Sequence, residues 1–358
     1  MINVTRPFLP PLAEYQQYIA DIWDRNWLTN NGPLVKELEA QLRAYLNTEK
    51  LLFLSNGTIA LQIAIKALDL QGEIITTPFS YVATTSSIVW ENCTPVFVDI
   101  DKESFNIDPK LIEASITDKT SAILATHVYG NPCDIDAIAT IAEKHNLKVI
   151  YDAAHCFGTL YKGKSVFEYG DVSTTSFHAT KLFHTTEGGA VVAKDSAILT
   201  CMERMRNFGH AGPDKFKGIG INGKNSEMHA AMGLANMKYV DHILAKRELD
   251  HKLYDQRLEA LQLQKPKIDD KATFNYAYYA VVFRTTEECI KVFKALADNE
   301  IGARRYFYPV LSSLDYVDPQ TMPVAEDIAQ RVLCLPLYEQ LTEDDIEKIC
   351  TVILKTLN

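Results

Sequence analysis

The sequence predicts an α/β protein with a central, mostly parallel sheet and a smaller α+β domain at its C-terminal end. Three observations point there. The chain has 358 residues, of which 47% are hydrophobic, enough for a large buried core. Through the first two thirds, short apolar runs alternate with helical patterns, the rhythm of βα units around a parallel sheet. From about residue 240 that rhythm gives way to a long charged helix and a different set of elements, so the division falls at 1–240 and 241–358.

In order, LLFL predicts a strand and TIALQIAIKALDL an amphipathic helix. EIITTPF and TPVFVDI predict two further strands, SAILATHVYG another, IATIAEKHNLK a helix, and VIYDAAH a buried strand followed after an interval by the short strand VSTTSF. Beyond the boundary come the charged helix HILAKRELDHKLYDQRLEALQ, aromatic strands in FNYAYYAVVF, the helix ECIKVFKALADNE, the segment RRYFYPVL and the amphipathic helix EDDIEKICTVILKTL. No repeat, low-complexity stretch or flexible linker interrupts them.

The formal net charge of -10, without a basic run or stripe, argues against a nucleic-acid partner, so anionic ligands must be met by local devices such as helix N-termini. MINVTRPFLPPLAEYQQ lacks a charged segment followed by an apolar one, and no span of roughly 18 apolar residues follows. The expectation is a soluble cytoplasmic protein with no membrane partner. Seven scattered cysteines without a CxxC pair read as reduced core thiols, and no metal site is assigned.

Three segments carry chemistry. In LLFLSNGTIALQIAIKAL a strand ends at Leu54 and a helix starts near Thr58, so free N–H groups point outward at the strand's C-terminal edge. That is a phosphate cradle, although a Ser-Asn-Gly-Thr turn also serves simply as a helix cap. In KVIYDAAHCFG, Asp152 ends a buried strand, where an ionised carboxylate requires a cationic partner. A buried arginine would serve, and so would the protonated ring nitrogen of pyridoxal phosphate. In SFHATKLFHTTEGGA, Lys181 stands among Phe177, Leu182 and Phe183, the partly desolvated setting a Schiff-base lysine needs, with the Ser176 and Thr180 hydroxyls at hand for a phosphate. A lone lysine at such a junction is ordinarily a surface residue. Cradle, ring-nitrogen acid and aldehyde-binding lysine in this order are what a pyridoxal phosphate enzyme of aspartate-aminotransferase type requires. A nicotinamide-binding Rossmann enzyme is disfavoured because GxGxxG does not follow the first strand.

With these motifs, and with WLTNNGPLVKELEAQL, TTPFSYVATTSSIVW, HVYGNPCDI, GINGKNSEMHAAMGL and LPLYEQLTEDDIEKI, the chain resembles the DegT/StrS-type nucleotide-sugar aminotransferases nearly end to end. The resemblance implies an aspartate-aminotransferase-like (fold type I) fold and a pyridoxal 5'-phosphate cofactor, cycling through pyridoxamine 5'-phosphate. It implies that Lys181 binds the cofactor and moves the proton, that Asp152 pairs with the ring nitrogen, and that His155 meets the phenolic oxygen. Gly57, Thr58 and Ser176 would hold the phosphate, Tyr81 would stack on the ring, and Asn222 would reach the phosphate of a neighbouring subunit in a homodimer with shared sites. Substrate candidates are Lys224, which replaces the arginine of a GxNxR pattern, and Arg305, Tyr306 and Tyr308. Tyr306 and Tyr308 are equally open to a core role, Arg305 to a surface ion pair, and His178 and His184 to packing. The histidine that often follows the family's YPxL segment is missing from YPVLSSL.

Within that family the motifs look closest to enzymes forming dTDP-4-amino-4,6-dideoxy-D-glucose with L-glutamate as donor, commonly for surface polysaccharides such as the O-antigen of lipopolysaccharide. Action at C3 of the sugar, or on a GDP- or UDP-linked ketosugar, is the alternative. The related sugar dehydratases carry histidine at the position of Lys181, which favours transamination here.

Overall fold

The computed structural model describes residues 1–357. Helices α1 (Leu12–Arg25) and α2 (Pro33–Tyr45) precede β1 (Leu51–Leu54), α3 (Gly57–Ala67), β2 (Glu73–Thr76), α4 (Val82–Trp90) and β3 (Thr94–Phe97). The single turn α5 (Pro109–Ile112), β4 (Thr120–Thr126), α6 (Ile135–His145) and β5 (Lys148–Asp152) continue the alternation. A small hairpin of β6 (Leu160–Tyr161) and β7 (Lys164–Ser165) leads to β8 (Val172–Ser176) and β9 (Gly189–Ala193). Then come α7 (Ser196–Arg206), α8 (Glu227–Met237) and α9 (Val240–Leu258). The chain finishes with β10 (Ala272–Thr273), β11 (Tyr279–Val282), α10 (Thr286–Asp298), α11 (Pro323–Arg331), β12 (Val332–Leu335) and α12 (Glu343–Leu357).

Seven strands form one sheet in the order β1-β9-β8-β5-β4-β2-β3. Strands β3, β2, β4, β5 and β8 run parallel, whereas β9 lies antiparallel between β8 and β1. Central strands such as β5 are buried on both faces, as a parallel sheet covered by helices requires, which is why VIYD reads as a continuous run rather than an alternation. All the carboxyl ends of the parallel strands therefore open on one edge, where an α/β sheet offers its crevice.

Helix–sheet packing sets the position of that edge. Asn56 caps α3 by accepting the Ile59 N–H at 2.8 Å, and Ala60, Leu61, Ile63, Ala64 and Ile65 bury its apolar face. Arg206 of α7 donates to Glu39 Oε1 of α2 at 2.6 Å and to the Phe53 carbonyl of β1 at 2.9 Å, while the Phe53 N–H donates to Glu39 at 3.0 Å. Both side chains are almost wholly buried. Arg206→Met removes the buried partner of Glu39 Oε1 while Arg43 stays on Oε2 at 3.0 Å, and we expect a loss of about 2 kcal/mol in urea unfolding.

The second part is built on the antiparallel pair β11–β12, covered by α9, α10 and α12. FNYAYYAVVF yields one strand rather than several: only Tyr279–Val282 pairs, because Tyr276 adopts a left-handed backbone and breaks the extended run. Ile2 bridges Ile301 and joins the apolar cluster of this second part, so the chain's first residues pack with its last. The seven cysteines are all unpaired, and six of them are buried.

Candidate active site

At the carboxyl edge of the sheet, facing β11, β12 and the 304–307 segment, lies a cleft of about 390 Å³. It receives the ends of β4, β5 and β8, the start of α3, and Lys181. The aromatic setting of Lys181 now has a physical account. Phe177 and Phe183 are buried with their rings 5.1 Å apart, Phe183 stacks on Phe157 at 4.4 Å, and Phe177 N donates to the Gly188 carbonyl at 2.7 Å. These contacts anchor the 177–188 loop in the core and leave Lys181 half-buried at the cleft. Its Nζ reaches the Tyr278 hydroxyl at 3.5 Å, a long contact that leaves the amine free for a ligand.

Asp152 sits across the cleft at the end of β5, between Thr126 and Thr174 on the adjoining strands. It is 6% exposed. Thr84 Oγ1 donates to its Oδ2 at 2.8 Å, and the Ala154 N–H to Oδ1 at 3.2 Å. Ser80 links Thr84 and Thr126 through hydroxyl contacts of 2.8 and 2.9 Å, which fixes the carboxylate's support. No arginine or lysine forms an ion pair with Asp152 among the described residues. Burial accordingly raises its pKa, opposed by the Thr84 and Ala154 hydrogen bonds and by the charge of Lys181. Of the two partners open to it in the sequence, the buried arginine is absent.

His155 lies beside it. Its Nδ1 accepts the Tyr129 N–H at 3.2 Å, and burial, together with the charges of Lys181 and Arg304, lowers its pKa well below the ordinary range. The ring is thus neutral with its proton on Nε2, which faces the Tyr306 hydroxyl at 3.3 Å.

The N–H groups of Gly57 and Thr58 belong to the unpaired first turn of α3 and face the cleft together with Ser176. A Cβ on Gly57 would fall 2.8 Å from the Ser176 Cβ, so only glycine lets the turn and β8 converge there. Gly57→Ala is expected to splay this cradle and weaken cofactor affinity by roughly 10- to 100-fold, measured by titrating pyridoxal phosphate into the cofactor-free protein. Thr180 Oγ1 instead contacts His178 Nδ1 at 2.8 Å. An anion cradle, a desolvated carboxylate lacking a cation and a free amine fit a phosphorylated, cationic-ring aldehyde. On these grounds Lys181, Asp152, His155, Gly57, Thr58 and Ser176 are the residues that would hold pyridoxal phosphate.

Tyr81 caps the start of α4 at the cleft mouth, half-exposed, its ring 6.3 Å from that of Tyr306. Tyr306 lines the cleft, but Arg305 and Tyr308 do not. Arg305 donates to Gln330 Oε1 at 3.0 Å and stacks on Tyr308 at 3.5 Å, facing away. The backbone of Arg304 pairs with Cys334, and the alternation of that extended segment sends Arg304 and Tyr306 inward. Arg304 thus occupies the place expected of Arg305. Asn222 and Lys224 also lie outside this chain's cleft. Asn222 is exposed in a bridge to Asn207, and Lys224 Nζ donates to Asn207 Oδ1 at 2.8 Å above the Phe208 ring. His184 is buried and bonded to the Phe8 carbonyl at 2.7 Å, whereas His178 lies exposed beside Glu187. Among the cleft residues without a sequence signal of their own are Tyr278, Arg304 and the buried Arg247 of α9.

A parallel sheet opening onto this lysine, carboxylate and phosphate cradle defines a fold type I pyridoxal phosphate enzyme. The chain belongs to the DegT/DnrJ/EryC1/StrS aminotransferase family, whose description matches residues 12–354. Two relatives, dTDP-4-amino-4,6-dideoxy-D-glucose transaminases of Shigella dysenteriae and Escherichia coli, are 43% and 39% identical to it. The alignments cover 98% and 99% of this chain and 98% of each relative. The crystal structure of DesI in the presence of its TDP-sugar product superposes with a TM-score of 0.94 at 31% identity, covering 99% of this chain and 93% of that one. The protein is a pyridoxal-phosphate-dependent aminotransferase.

Proposed function

We propose that the enzyme transfers an amino group from L-glutamate to C4 of dTDP-4-dehydro-6-deoxy-D-glucose, giving dTDP-4-amino-4,6-dideoxy-D-glucose. The observation that carries transamination is the buried Asp152 without a cation, set across the cleft from the free amine of Lys181. The choice of sugar rests on likeness along the whole chain to two transaminases of that product.

When bound, pyridoxal phosphate supplies an electron sink for the carbon that loses or gains a proton. Asp152, held by Thr84 and the Ala154 N–H, would pair with the ring nitrogen and favour its protonated form, which strengthens the sink. Lys181 Nζ would hold the aldehyde group, and in each half-reaction it is the base placed to move the proton at the substrate carbon that bears the amine. The α3 N-terminus and Ser176 would hold the phosphate, and His155 Nε2 would be the donor available to the phenolic oxygen.

A second copy of the chain belongs to this reading. The segment before Asn222 exposes Phe208, Phe216 and Ile219, an apolar surface suited to burial against a partner whose phosphate Asn222 would then reach. The cytoplasm, with a product destined for surface polysaccharide such as O-antigen, is the setting we propose. The test is to supply L-glutamate with dTDP-, GDP- and UDP-linked 4-keto-6-deoxy sugars and locate the new amine by NMR. Amination at C4 of the dTDP sugar is expected; turnover confined to another nucleotide, or amination at C3, rejects the substrate named here.

A further inference from the structure

Residues 2–8 run from one hydrophobic cluster of the molecule to another. At one end Ile2 lies in the cluster of the second part, where its N–H donates to the Glu300 carbonyl at 2.8 Å and its carbonyl accepts the Gly302 N–H at 2.7 Å. At the other end the Phe8 ring packs on the cluster around the sheet, 5.1 Å from the Tyr239 ring. Between them the Val4 carbonyl accepts the Leu337 N–H at 3.2 Å, and Val4 and Thr5 form part of the cleft wall. Pro7, with Pro10 and Pro11 just beyond, fixes φ and removes backbone donors, so the segment is a stiff strap rather than a loose tail.

The end of the strap is fastened by His184, which is 2% exposed and stands on the same loop as Lys181. Its Nε2 donates to the Phe8 carbonyl at 2.7 Å, and its Nδ1 accepts the Thr186 N–H at 3.2 Å. Both partners are main-chain groups of fixed polarity, so the ring is the neutral tautomer with its proton on Nε2. Burial lowers its pKa, opposed by the Phe8 hydrogen bond and assisted by His178. The Thr186 carbonyl in turn accepts the Ala179 N–H at 2.8 Å, two residues before Lys181, and Asn236 Nδ2 of α8 donates to the His184 carbonyl at 2.9 Å. An apolar side chain would fill this space. A ring with a donor on one edge and an acceptor on the other is what joining two main-chain segments requires.

We propose that His184 is a positioning residue that fastens the N-terminal strap to the loop of Lys181, and that the fastened strap retains the cofactor while its amine form has no covalent bond to the protein. This rests on the pyridoxal phosphate reading above. In the amine form the lysine no longer holds the cofactor, which leaves the α3 cradle, Asp152 and the cleft walls to keep it. Val4 and Thr5 belong to that wall, and the strap that carries them is tied to the second part at Ile2 and to the lysine loop at Phe8. Letting go at either tie would open the wall, as unlatching a lid speeds the departure of what lies beneath it.

The experiment loads pyridoxamine phosphate directly onto cofactor-free protein and follows its escape by absorbance after rapid gel filtration, so neither amino donor nor sugar enters. His184→Asn keeps an acceptor at the place of Nδ1 and loses the donor toward Phe8; it should release pyridoxamine phosphate about 10-fold faster than wild type. The long-wavelength band of pyridoxal phosphate held by Lys181 should persist in it. His184→Gln carries an amide donor to the place of Nε2 and should stay within about threefold of wild type. Gly302→Ala loosens the strap at its other tie, because a Cβ there falls 2.9 Å from the Val4 nitrogen, and it too should speed escape. Since both changes undo one strap, the double variant should exceed the faster single one by less than about threefold. Hydrogen exchange at the Gly302 and Leu337 amides, whose acceptors are strap carbonyls, should quicken in His184→Asn.

If pyridoxamine phosphate escapes from His184→Gln as fast as from His184→Asn, the imidazole serves only its own loop through Thr186 and the proposal fails. It fails too if His184→Asn does not speed escape, or if its effect multiplies in full with that of Gly302→Ala. Melting temperatures check the buried His184 variants. Should those unfold, Gly302→Ala decides alone, and escape at the wild-type rate from that variant overturns the strap. A wild-type protein that holds no pyridoxamine phosphate at all overturns the cofactor reading itself and this one with it.

Discussion

Lys181→Ala is expected to lower turnover by on the order of 10⁴-fold or more while leaving the fold intact. The activity loss follows from the two duties proposed for one atom: Nζ would hold the cofactor covalently and move the proton, and proton transfer by a placed group alone is worth about 10² to 10⁴. No other amine in the cleft can substitute, because its remaining cations are arginines. The fold survives because the loop is held by other groups. Phe177, Leu182 and Phe183 carry its burial, whereas Nζ contributes one long contact to Tyr278. Unfolding in urea should change by less than about 1 kcal/mol. The long-wavelength absorbance of covalently held pyridoxal phosphate should vanish from the variant even when cofactor is added in excess.

Asp152→Asn is expected to have opposite effects on catalysis and on the stability of the cofactor-free protein. Asparagine cannot hold a proton on the ring nitrogen, and breaking a buried charge pair costs about 3–5 kcal/mol, so kcat should fall by roughly 10²- to 10³-fold. In the cofactor-free fold the same carboxylate has no cation, and burial raises its pKa above the ordinary 3.8. The stabilising contribution of a group whose pKa is raised by folding is fully present below the unfolded value. It is lost as pH rises through the folded value. Cofactor-free wild type should therefore lose melting temperature from this group as pH climbs above about 3.8, and Asp152→Asn should not show that component. At neutral pH the cofactor-free variant should melt no lower than wild type. Adding pyridoxal phosphate should reverse the order, because only wild type gains the buried pair.

What was legible in the sequence followed from locality. Gly57, Asp152 and Lys181 each sit within a few residues of a strand end, and strand ends on a parallel sheet converge on one edge by topology alone. The direction of β9 was not legible, since GGAVVA reads the same parallel or antiparallel. Arg304 and Arg305 are adjacent cations of identical chemistry, and only the pairing of the 304 segment with Cys334 decides which enters the cleft. Arg247 was hidden for another reason. It lies on a helix dense in charged residues, where nothing in the local pattern distinguishes the one arginine turned inward from those in solvent. Asn222 and Lys224 stand outside their own chain's cleft, so their part in a site depends on a second copy that one chain's sequence does not place.

In the proposed reaction one cleft takes an amino group through Lys181 and passes it to the keto sugar. The most direct measurement is the absorbance of purified holoenzyme, recorded before and after L-glutamate and again after dTDP-4-dehydro-6-deoxy-D-glucose. The long-wavelength band should convert to that of the pyridoxamine form with glutamate and return in full with the sugar. Conversion without return contradicts the proposed acceptor, and a long-wavelength band that persists in Lys181→Ala contradicts the place given to that lysine.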